Sequence, residues 1–82
     1  MRKPIYLATV NYKIANKKTM KKNWINKKDE LFILTDIVKE LNYDDSILSK
    51  LANKNNKNFS DIYINITSVE IKGQFGMTND RF

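Results

Sequence analysis

The chain has no cysteine and no histidine, and only two glycines and one proline among 82 residues. Without cysteine there is neither a disulfide framework nor a thiolate metal site, which fits a reducing interior. Without histidine the commonest general base near neutral pH is missing, together with the usual imidazole ligand for metals. Neither a GxGxxG nor a Walker-type phosphate loop occurs. No apolar run approaches the length of a membrane span, and no apolar h-region follows Met1-Arg2-Lys3-Pro4. The expectation is a soluble, unprocessed, cytoplasmic chain without a membrane partner.

Paired carboxylates occur only as Asp29–Glu30 and Asp44–Asp45. Both pairs fall at predicted helix starts, where acids cap the chain and complement the helix dipole. No serine or lysine has a companion at a spacing that would mark an activated nucleophile. The sequence therefore predicts no catalytic residues, no metal site and no cofactor, and a binding protein rather than an enzyme.

What is present is lysine, unevenly placed. Residues 1–28 hold nine Lys/Arg and no acid, residues 29–45 hold six acids against Lys39 alone, and the whole carries +6. Such asymmetry raises the prior for a polyanionic partner. Lys, Asn and Ile supply 34 of the 82 residues. All three are favoured by A- and T-rich codons, so part of the lysine content reflects base composition. That bias is similar to genes of phages and mobile elements, and it predicts such an origin, with the host interior or the virion as location.

Along the chain, residues 4–14 alternate as a strand. Tyr6, Ala8, Val10, Tyr12 and Ile14 form the apolar face, and Pro4 sits at the start, where a missing donor is tolerated. Residues 15–18 read as a turn with Asn16 at a positive φ, and residues 19–26 as a second strand. Residues 29–42 read as a helix, capped by Asn26 or Asp29, with Leu31, Leu34, Val38 and Leu41 on its buried face. A second helix is predicted over residues 43–53, capped by Asp44 or Asp45. Residues 59–72 form the third strand, whose apolar parity shifts from Ile62, Ile64 and Ile66 to Val69 and Ile71. That shift predicts a bulge near Thr67–Ser68. Residues 73–82 hold both glycines and read as an irregular tail.

The assembly this predicts is α+β: a β-β-α-α-β domain over residues 1–72. A three-stranded antiparallel sheet in the order 2-1-3 carries its helices on one face. Functional expectation falls on the hairpin, where Lys13, Lys17, Lys18, Lys21, Lys22, Lys27 and Lys28 surround Trp24. Lysine attracts phosphate through charge, a two-stranded ribbon fits a major groove, and aromatics stack on unpaired bases. The bland alternative is a solvated, edge-protecting hairpin with Trp24 packed under the helix. The cluster contains no arginine, which argues against specific guanine readout.

A second surface is the tail, where Phe75, Met77 and Phe82 either fold over the open sheet face or anchor a protein partner. Two functions follow. One is a nucleic-acid or nucleoprotein-binding protein using the basic hairpin. The other is a protein-interaction module, such as a phage inhibitor of a host defence complex or an accessory virion protein. An exposed edge strand also leaves a homodimer open, with the third strand as the candidate edge.

Overall fold

The alternation beginning at Pro4 makes the central strand of a sheet. β1 (Pro4–Asn16) pairs antiparallel with β2 (Ile25–Ile33) on one side and with β3 (Ile62–Met77) on the other. The order is β2-β1-β3. Between β2 and β3 lie α1 (Val38–Leu41), α2 (Asp45–Lys54) and a 3-10 turn, Phe59–Asp61. The expected α+β class and sheet order are both present. The computed structural model describes residues 3–18 and 23–77. Among them, no helix is long and apolar enough to cross a membrane.

The predicted apolar face of β1 is the floor of the core. Ala8, Val10, Tyr12 and Ile14 pack with Leu31 and Ile33 of β2, Ile66 of β3, and Leu41, Ile47, Leu48 and Leu51 of the helices. Both helices therefore cover one face of the sheet, and among the described residues no helix covers the other. α2 starts as the sequence predicts: the Asp44 carboxylate accepts from the Ser46 and Ile47 amides at 2.9 and 3.3 Å. Those two donors have no partner within the helix itself.

The predicted helix over residues 29–42 is not one helix: it begins as strand and ends in a single helical turn. Asp29 to Ile33 belong to β2, and only Val38–Leu41 is helical. Accordingly the second strand lies at Ile25–Ile33 rather than at residues 19–26, and residues 19–22 fall outside the described residues. The reason lies in β1. A buried central strand must have its amides and carbonyls paired on both sides, and the segment following the hairpin supplies one of those partners. Leu31 and Ile33 point inward and Glu30 and Phe32 outward, a period of two that a short window cannot distinguish from a helical stripe. Leu34, predicted to be buried, is exposed beyond the end of the strand, whereas Leu41 is buried as expected. Asn26 and Asp29 cap nothing.

β3 also runs further than expected, so Gly73 to Met77 are strand and not irregular tail. Residues 78–82 lie outside the described residues. The predicted bulge is present: Asn11 faces Ser68 and Tyr12 faces Ile66, which leaves Thr67 as the extra residue. The Thr67 hydroxyl donates to the Asn11 carbonyl at 3.1 Å, and the Asn11 amide donates to Ser68 at 3.0 Å. A later shift between Pro4 and Tyr6 coincides with Gly76, whose φ of 125° suits glycine. The positive φ expected at Asn16 is found instead at Asn56. Asn16 ends β1, and its side chain accepts from the Lys18 amide.

Two polar side chains tie the layers together. The Tyr12 hydroxyl donates to the Asp29 carboxylate and accepts from the Asn55 amide at 2.8 Å, linking β1, β2 and the end of α2. Asn42, the C-cap of α1, reaches the outer edge of β3. Its Oδ1 accepts from the Ile66 N–H at 2.8 Å and its Nδ2 donates to the Ile66 carbonyl at 3.0 Å. At that residue the side chain does what another strand would do.

Candidate nucleic-acid interface

The strand register arranges the uncovered face in rows. Lys13 of β1 faces Asn26 of β2 and Asn65 of β3, and in the next row Asn11 faces Lys28 and Ser68. Lys13 and Lys28 are thus diagonal neighbours on one surface, within reach of long side chains. Beyond Lys13 comes Ala15, which faces Tyr63. Tyr63 is 40% exposed, and the Lys17 ammonium stands 5.2 Å from its ring centroid.

Trp24 precedes β2 by one residue and is 44% exposed, so it does not pack under a helix. Its neighbours Asn23 and Ile25 line a cavity of about 240 Å³ with Ile14, Ile62 and Lys57. Ala15 and Asn16 line it too, so the cavity sits at the end of the sheet where Trp24 leads into β2. Tyr63, opposite the buried Ala15, and Trp24 are thus both exposed at the hairpin end of the sheet.

Two further rows change character. Thr9 faces Glu30 and Glu70, a line of carboxylates across the sheet, with Lys72 3.6 Å from Glu70. Past them lie Leu7 facing Phe32, and then Phe75, whose ring meets Phe32 edge to face at a centroid distance of 5.7 Å. Phe32 and Phe75 are 53% and 64% exposed. The open face is thus divided by its carboxylate row into a basic, amide-rich, aromatic half and an apolar half.

The lysines expected to act together are not all together. Lys13 and Lys28 share the open face, and Lys17 joins them through Tyr63. Lys27 faces Tyr12 on the helix side. Lys18 lines a polar cavity of about 260 Å³ with Asn16, Asn56, Lys57, Asn58 and Asp61. Lys21 and Lys22 lie outside the described residues, as does Phe82, while Phe75 and Met77 belong to β3.

Tyr63, Asn26, Asn65 and Lys57 are the residues that sequence reasoning missed. The alternation of Tyr63 and Asn65 with buried isoleucines was visible, but their adjacency to Lys13 and Trp24 depends on the register of β1 against β3.

The hairpin is also not a free ribbon. β3 accompanies β1 as far as the Asn16–Ile62 pair. Three strands at about 4.8 Å each make a slab roughly 14 Å wide, broader than a major groove of about 12 Å. The predicted insertion of a two-stranded ribbon into a groove is replaced by a three-stranded surface.

Tyr12 lies beneath this face and does not titrate near neutrality. Burial, reinforced by its hydrogen bond to Asp29, pushes its pKa up to about 12. It stays protonated and serves as a strut. Among the described residues no group of three or more acids could hold a metal ion. What the face offers is ammonium groups, side-chain amides and exposed rings, the equipment of a binding surface on an α+β scaffold. No family model matches the chain, and no curated protein or solved structure matches it significantly.

Proposed function

We propose that this chain is a small non-catalytic binding protein that engages a nucleic acid or nucleoprotein through its lysine-rich hairpin. The observation that carries this reading is the convergence of Lys13, Lys28 and Lys17 beside exposed Trp24 and Tyr63, with no acid among them on that half of the face. Phosphate contacts of this kind release counterions, so affinity falls linearly with salt on logarithmic axes.

Fluorescence anisotropy with a labelled oligonucleotide at increasing salt tests it. Three engaged lysines predict a slope of about −2 on a single strand, and each Lys→Ala change at 13, 17 or 28 should flatten it by about 0.7. Retention that ignores salt, or survives replacing all three with Glu, overturns the reading.

A second reading is favoured by the Phe32–Phe75 pair, two large apolar side chains that meet edge to face while both stay exposed at the far end. Such a patch suits a protein partner, as an inhibitor of a host complex or a virion component would need. Under that reading a co-purifying protein survives nuclease treatment and is lost in Phe32→Asp or Phe75→Asp.

A further inference from the structure

We infer that the ligand of the basic half-face is a single strand of nucleic acid, its bases stacked on Trp24 and Tyr63 and its phosphates met by Lys13, Lys17 and Lys28. This rests on the nucleic-acid reading above and specifies its ligand. A duplex keeps the faces of its bases inside its own stack, so exposed rings on a protein surface gain nothing from it. An unpaired strand can turn those faces outward, and base–aromatic stacking tolerates any sequence.

Trp24 and Tyr63 are both exposed at the hairpin end of the sheet, Tyr63 where β3 pairs with Ala15 and Trp24 one residue before β2. Next to this row, Asn26 and Asn65 flank Lys13. Each amide both donates and accepts, as base edges require. The width of the three strands disfavours the groove of a duplex and suits a chain draped over the surface. Glu30 and Glu70 then limit the platform, because phosphates are repelled by that row. Three rows of usable surface correspond to about two or three stacked bases.

The test uses Trp24 itself, the one tryptophan in the chain. Oligothymidylate, oligouridylate, a duplex of equal length and heparin are titrated at low salt, following tryptophan emission and anisotropy together. The expected result is quenching by both single strands, little quenching by the duplex or by heparin, and single strands bound more tightly than the duplex. Trp24→Ala and Tyr63→Ala should each weaken single-strand binding about tenfold, a larger fold-change than either makes in heparin binding. Trp24→Phe should retain most of the affinity. Both side chains are exposed, and circular dichroism verifies that the variants fold.

Equal affinity for all four polyanions, without quenching and without loss in the alanine variants, overturns the single-strand inference and leaves phosphate binding by the hairpin standing. Failure of every nucleic acid to bind at low salt removes both.

Discussion

Three segments meet on the hydroxyl of Tyr12, which donates to Asp29 and accepts from Asn55. Its pKa of about 12 lies above the ordinary 10, so the folded state holds this proton more tightly than the unfolded chain does. The resulting stabilisation is complete below pH 10 and is lost as pH rises towards 12. A shift of that size corresponds to about 2–3 kcal/mol. Lysines lose charge in the same range, so the informative quantity is the difference from Tyr12→Phe. Urea unfolding at several pH values should show wild type losing its advantage over the variant above pH 10, and an advantage independent of pH counts against the network. Asn42 is the other residue whose loss should be felt. Asn42→Ala leaves the Ile66 N–H and carbonyl without their partner, which should cost about 1–3 kcal/mol by the same measurement.

At the scale of elements, β1, α2 and the bulge in β3 were all legible in the chain, because each rests on a local rule. Alternation from Tyr6 to Ile14, an aspartate before an apolar stripe, and a parity slip at Thr67 need no knowledge of distant residues. β2 was not legible, because Asp29 to Ile33 satisfies both periods and the decision belongs to β1, which requires a second partner. The candidate site was half legible. Lys13, Lys28 and Trp24 stood out by composition, while Tyr63 joined them only through pairing across nearly fifty residues of chain. The bulge itself makes an element-scale prediction. Deleting Thr67 removes the extra residue, so strict alternation from Ile66 keeps Ser68 and Glu70 on the open face and Val69 towards the helices. The variant should therefore still unfold cooperatively in urea, its loss limited to the local bend and the Thr67–Asn11 hydrogen bond, and Thr67→Ser should fold normally. Loss of cooperative unfolding on deletion would show that the two parities of β3 are not held as described.

For the whole molecule, charge is distributed by position on the sheet and not simply along the chain. The +6 of the protein matters less than the separation of Lys13, Lys17 and Lys28 from Phe32 and Phe75 by Glu30 and Glu70. Substitutions in the two halves should therefore be separable. Lysine changes should alter salt dependence, and Phe32→Asp should leave it untouched while abolishing any protein capture. Loss of both activities from either set would mean one composite surface instead of two.

The carboxylate row has a further consequence, in terms of stoichiometry. If Glu30 and Glu70 end the platform after two or three bases, extending an oligonucleotide beyond that length adds no new contacts for a copy already bound. It adds only places to bind. A long strand would then behave as a lattice of short overlapping sites, loaded by many weakly held copies, and the degree of coating would follow protein concentration more than sequence.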